Sequence, residues 1–337
     1  MILLIKILPT AGTTILDDDE IAIWASQAGR RDTTMETYRA SLKQFLKWCM
    51  QHKRTFFPAS DKTIAHYLKY MSESGYAQST ITGHLAAIKS QYALYASNDP
   101  TESLLVQLAK QRAVKEAVPG KEGKYPLLRD DLLKILQLPL VTWRDCRDAT
   151  LILLQWISMA RVGNIVALKV SDIMFQHTTI GNSPCEYIVL RFEKLKNAEG
   201  EKLVFIGQGT QSFCAVMWVR AYLKNMKDTF KDLFTDNSPL FFKLSGNALA
   251  HLSAGTPSSL LKKKVAAIGL NPAIYASHSN RIGSATEAAR LGMRIYAIRR
   301  QGLWSDKSTC VYKYLRDISL ESKLAITRVL QTGSGVN

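Results

Sequence analysis

Apolar residues recur along this chain at two periods, and the changes of period mark its organisation. From Thr34 to Met50, TMETYRASLKQFLKWCM sets Tyr38, Leu42, Phe45, Leu46 and Cys49 on one stripe at helical spacing. Lys43 and Lys47 lie off it, so the stretch predicts an amphipathic helix. A second helical pattern starts at the cap signal Ser60/Asp61 and carries Ile64, Tyr67, Leu68 and Met71. A third, capped by Ser79 or Thr80, runs through Leu85, Ile88 and Tyr92, and a short fourth fits Ser103 to Arg112. Helices joined this closely predict a small all-α bundle over residues 20–116, behind an extension of residues 1–19.

Residues 117–126, AVPGKEGKYP, hold two prolines, two glycines and three charges, which a helix does not continue through, so they read as a linker. Beyond them Asp145 to Ala160 places Ala149, Ile152, Leu153, Trp156, Ile157 and Ala160 at helical spacing, apolar enough for the centre of a second domain. The period then shortens to that of strands: Tyr187 to Phe192 and Lys202 to Ile206 flank a turn with Asn197 and Gly200, predicting a lysine-bearing β-hairpin. Helical patterns return at 211–226, 257–268, 280–291, 293–301 and 306–330. The expected fold is mainly α with a small β-sheet (α+β), with a second domain over 127–330 and a disordered tail at 331–337.

Composition sharpens this picture in one respect. Lys plus Arg number 44 against 28 Asp plus Glu, a formal charge of +16, while 47% hydrophobic residues supply ample core. Such an excess favours a polyanion, because basic side chains that neutralise phosphates release condensed counterions. The short basic runs Arg30/Arg31 and Lys262 to Lys264 are either phosphate contacts, localisation signals or solvated faces. Five scattered cysteines without CxxC or zinc-finger spacing read as reduced thiols of an intracellular protein. The run Thr150 to Ala160 is about half of the ~20 residues that span a bilayer, so no membrane association is expected.

The candidate chemistry needs cations and no metal or cofactor, since HxxH, HExxH and Gly-rich phosphate loops are absent from the sequence. HSNRIGSATEAARLG puts His278 and Arg281 one helical turn apart on one face. GLWSDKSTCVYKYLRD follows, with Trp304, Tyr312 and Tyr314. With Arg161 in ARVGN and the lysine hairpin, the order along the chain is Arg, Lys, HxxR, Trp, Tyr.

In that order of motifs, residues 125–320 resemble the catalytic domain of the tyrosine recombinases, the lambda-integrase class of DNA strand-transfer enzymes. The preceding bundle is similar to the family's core-binding domain, and HSNRIGSAT, GLWS and YKYLR are most like recombinases of DIRS and crypton mobile elements. The resemblance implies a C-shaped clamp on double-stranded DNA and a homo-oligomer, a tetramer on two sites. It also implies integrase chemistry through a 3′-phosphotyrosine, and a nuclear location in a eukaryotic host.

The resemblance implies the role of each residue, and the chemistry of a phosphodiester gives the reason for it. Two guanidiniums, Arg161 and Arg281, can clamp the non-bridging oxygens as charge gathers there. His278 hydrogen-bonds the phosphate or takes the tyrosine proton. Lys196, or Lys194 on the same strand face, protonates the leaving 5′ oxygen, and Trp304 offers an indole N–H. Tyr314 is the expected nucleophile on local pattern, with Tyr312 the alternative. Asn164, where the family commonly has an acid, and Asn280, where an apolar residue is usual, depart from the pattern, the second removing apolar anchoring behind His278. Two other readings share part of this chemistry: a type IB topoisomerase and a catalytically inert domesticated DNA-binding protein.

Overall fold

The structure, a computed structural model, describes residues 32–95, 98–118, 123–193, 200–210, 213–253, 255–305 and 311–312. The chain forms two compact units that divide after residue 122.

The first unit is a bundle of α1 (Asp32–Gln51), α2 (Asp61–Glu73), α3 (Gln78–Tyr95) and α4 (Leu104–Glu116). Ser60 and Ser103 stop the free amides of the next turn from going unpaired, accepting from Thr63 N at 3.2 Å and Val106 N at 3.3 Å. The expected cap of α3 is corrected: the Ala77 carbonyl already accepts from Thr80 and Ile81, so the helix begins ahead of Ser79 and Thr80. Leu42, Phe45, Trp48, Ile64, Leu68, Leu85 and Ile88 close the core. Burying a side chain such as Phe45 contributes about 1.5–3 kcal/mol. Two hydroxyls in this core are paired, that of Tyr67 with His84 Nδ1 at 2.9 Å and that of Tyr92 with the backbone of Ala59, whereas Trp48 Nε1 is buried without a partner among the described residues.

The second unit runs α5 (Arg129–Leu136), α6 (Trp143–Ser158), α7 (Val162–Ala167), β1 (Ile173–Ile180), β2 (Ser183–Phe192), β3 (Lys202–Gly207) and α8 (Ala215–Phe230). It continues through β4 (Phe242–Ser245), β5 (Ala248–His251), α9 (Thr256–Ala267), α10 (His278–Arg290) and α11 (Ile295–Gln301). Thr142 and Asp145 form a reciprocal capping box, which starts α6 two residues before the apolar pattern does. Leu151, Ile152, Leu153 and Leu154 are all buried, so α6 lies at the centre, with α8, α9 and α10 against it.

The predicted hairpin is β2 paired antiparallel with β3, Leu190 opposite Val204 and Ile188 opposite Ile206 on the buried face. Pattern alone does not show β1, which adds to β2 as a third strand, or the small β4–β5 hairpin. In β1 only Ile173 is buried, leaving no alternation to read.

The last part of the expected linker is not a linker in space. Lys124 Nζ donates to the Ala273 carbonyl at 2.9 Å, Tyr125 N to Ile274 O at 2.9 Å, and Leu127 N to Ser279 O at 3.0 Å. This strap lies along the entrance to α10. Gly283 makes room for it, because a Cβ there would fall 1.8 Å from the Leu127 carbonyl oxygen.

Candidate active site

Helix α6 stops when Met159 turns into the left-handed region at φ 52, ψ 18. Arg161 then becomes the extended residue before α7, its carbonyl accepting from Asn164 N at 2.9 Å and Ile165 N at 3.2 Å. A left-handed non-glycine residue costs of order 1–3 kcal/mol and persists only where surroundings fix it. Here the reversal turns the Met159 carbonyl toward α10, where it accepts from Arg281 Nη1. The loop that carries the first arginine is thereby fastened to the second.

Arg281 is only 1% exposed. A buried guanidinium must keep partners for its charge. Besides the Met159 carbonyl it has the Trp304 ring, with Cζ 3.6 Å from the centroid, a cation–π contact worth about 2 kcal/mol or more when desolvated. Trp304 is brought there by a turn in which Leu303 takes φ 55 and Trp304 N donates to Arg299 O. Gly302 is required in that turn, since a Cβ on it would meet Trp304 Cζ3 at 1.8 Å.

His278 is the first residue of α10 and keeps an edge open to solvent. The protein packed around the rest of the ring dehydrates it, and the charges of Arg281 and then Arg161 repel a second positive charge. All three hold its pKa below the ordinary histidine value. The ring is therefore a neutral acceptor between two permanent cations at a helix N-terminus. Such a group binds an anion and takes up a proton as the anion arrives.

The turn before His278 is gripped from several sides. Ser258 of α9 accepts from Ser277 N at 3.1 Å and donates to Ser277 Oγ at 3.0 Å. Ser279 Oγ accepts from Ala276 N at 3.1 Å, and Gln155 Nε2 of α6 donates to Ser277 O at 3.0 Å.

Residues 24–97 match the family model described as the phage integrase N-terminal SAM-like domain. Over 319 residues the chain is 24% identical to an integrase/recombinase XerD homolog of Selenomonas ruminantium, covering 90% of this chain and 87% of the relative. Over 311 residues it is 24% identical to recombinase Cre of Escherichia phage P1, covering 86% and 85%. In fold it is similar to lambda integrase residues 75–356, solved as a dimer bound to a COC′ core site. That likeness has a TM-score of 0.56 at 17% identity, over 90% of this chain and 95% of the other. Along most of its length the chain is thus similar to recombinases of the tyrosine class.

The site residues expected from the sequence fall into two groups. Arg161, His278, Arg281 and Trp304 meet at the junction of α6, α7 and α10. Lys194, Lys196 and Tyr314 lie outside the described residues, as do Arg30 and Arg31; β2 and β3 end at Phe192 and begin again at Lys202. Tyr312 is described and is 58% exposed. Its neighbour Val311 is buried in a small cluster with Met159, Ile298 and Trp304.

One sequence-based expectation changes. Asn280 does not loosen the site: it is buried and donates through Nδ2 to Gln155 Oε1 at 2.7 Å, a polar anchor where an apolar one was missing. Asn164 has its Nδ2 buried without a hydrogen-bond partner among the described residues. Lys264 of the basic run is tied internally to Asp145 at 2.9 Å. Among the described residues no group of histidine, cysteine and carboxylate side chains is placed to hold a metal ion, and no helix is long and apolar enough to cross a membrane.

Proposed function

We propose that this recombinase cleaves and rejoins double-stranded DNA at specific sites through a covalent 3′-phosphotyrosine intermediate. The observation that carries the reading is the convergence of the Arg161 and Arg281 charges on a neutral His278 at the start of α10. A phosphodiester passing through a pentacovalent state gathers negative charge on its non-bridging oxygens. Preorganised guanidiniums in a partly dehydrated site stabilise that charge far better than water does. The net charge of +16 supports duplex DNA as the substrate.

In this reading the phenol oxygen of Tyr314, or Tyr312, attacks phosphorus while its proton passes to His278. The P–O5′ bond breaks, and Lys196, or Lys194, protonates the departing oxygen. Trp304 covers Arg281 and offers its indole N–H to the phosphate. Attack by a different 5′-hydroxyl reverses the steps and joins new strands, so the phosphodiester energy stays in the enzyme–DNA bond. Exchange between two sites calls for a homo-oligomer, a tetramer on two duplexes. The motifs HSNRIGSAT, GLWS and YKYLR support a mobile-element recombinase of the DIRS or crypton kind. The SAM-like match over residues 24–97 favours partner exchange over the relaxation chemistry of a type IB topoisomerase.

The test traps covalent protein on nicked suicide duplexes drawn from a randomised pool. Wild type forms an adduct, Tyr312→Phe keeps it and Tyr314→Phe loses it. Loss only in Tyr312→Phe moves the nucleophile two residues. Salt-sensitive binding by wild type with no adduct overturns the enzymatic reading in favour of an inert DNA-binding protein.

A further inference from the structure

Gln155 sits in the run Leu151 to Ile157, where its neighbours are apolar, and it is 1% exposed. A buried amide must find partners for both of its ends. Its Nε2 donates to the Ser277 carbonyl and its Oε1 accepts from Asn280 Nδ2. Since a carbonyl can only accept, one orientation of the amide satisfies both bonds. A single side chain of the central helix thus holds the residue before His278 and the residue before Arg281. Ser277 makes no side-chain cap bond to its own helix, and the local fastening is Ser279, whose Oγ accepts from Ala276 N. From outside, the first turn of α10 is held by Gln155 and Ser258, by the strap through Leu127 N to Ser279 O, and by the Met159 carbonyl on Arg281. The pair is not fully satisfied, because Asn280 Oδ1 is buried with no hydrogen-bond partner, a cost that packing alone gives no reason to carry.

We propose that Gln155, through Asn280, is a positioning residue for catalysis: it fixes the direction in which His278 and Arg281 present themselves to the scissile phosphate. This rests on the recombinase reading above. Misplacing a reacting group by about 1 Å costs on the order of 100-fold in rate. Gln155→Leu is therefore expected to slow adduct formation on the randomised nicked duplexes by roughly that factor. Affinity for the same DNA and its salt dependence stay within about twofold, because phosphate contacts elsewhere supply them.

The double variant Gln155→Leu/Asn280→Leu separates positioning from packing. Replacing both partners of a buried hydrogen bond by apolar groups of similar shape is close to neutral for stability. The double variant is expected to melt near wild type and still form adduct slowly. Recovery of both melting temperature and adduct rate in the double variant overturns the proposal, as does an unchanged rate in Gln155→Leu. The His278 ring resonances, followed by NMR in the full chain without DNA, judge it independently of activity. They are expected to move in both variants. If wild type forms no adduct the recombinase reading falls, and unmoved His278 resonances then overturn the positioning claim as well.

Discussion

Replacing Gly302 by alanine isolates the seat of Trp304. Gly302 has φ −83 and ψ 4, angles that alanine adopts without strain, so the backbone contributes no penalty. The whole effect comes from the new methyl group, which would lie 1.8, 2.3 and 2.7 Å from three atoms of the Trp304 six-membered ring. Ordinary carbon–carbon contact is about 3.5–4.0 Å, so the indole has to withdraw by roughly 1.7 Å or more. That lifts it from Arg281, forfeiting a desolvated cation–π contact of about 2 kcal/mol, and opens the small cluster of Met159, Ala285, Ile298 and Val311. With partial loss of indole burial the total comes to about 2–4 kcal/mol. For a unit of this size that lowers the melting temperature by about 4–16 °C. Scanning calorimetry of wild type, Gly302→Ala and Trp304→Ala reads it, and the double variant should melt no lower than Trp304→Ala alone, because the methyl group then has nothing to strike. A Gly302→Ala protein that melts within 1 °C of wild type, or a double variant that melts well below Trp304→Ala, refutes the reasoning.

Two further outcomes follow from the electrostatics. The titration midpoint of His278 in the free protein lies below its reference value of 6.5, through dehydration first and then the Arg281 and Arg161 charges. Its neutral ring therefore contributes stability above the unfolded pKa that is lost as pH falls through the folded one. Adding sulfate should raise the midpoint by offsetting both arginines, and an NMR titration that places it at or above the reference without added anion contradicts the picture. Lys264→Met should lower the melting temperature, the partly buried Asp145 pair being worth about 1–2 kcal/mol, yet leave the slope of log K against log salt for DNA binding unchanged. A fall of the slope by about 0.9 would make Lys264 a phosphate contact instead.

What could be read from sequence was whatever depends on neighbours along the chain. The caps Ser60 and Ser103, the stripe of α1, the two strands beside the lysine turn and the HxxR pair at the start of α10 are local patterns. What escaped depends on partners far away in sequence. Gln155 and Asn280 meet across 125 positions, and an asparagine in place of an apolar residue looks like a loss until its partner is known. A glutamine flanked by leucines and tryptophan was the available signal, since a buried amide demands a partner. Arginine is ordinarily an exposed residue, so the burial of Arg281 under Trp304 has no sequence signature. Likewise α5 is only eight residues long and β1 shows no alternation.

The strap at residues 124–127 has a practical and mechanical consequence. A catalytic fragment begun at Leu127, where the sequence pattern puts the domain edge, would discard Lys124 and Tyr125. With them go the bonds to Ala273 and Ile274. A fragment begun at Gly123 keeps them. In the intact chain the same strap is pinned a few residues from His278, through Leu127 N to Ser279 O. A pull on the strap would thus be felt at the turn that begins α10.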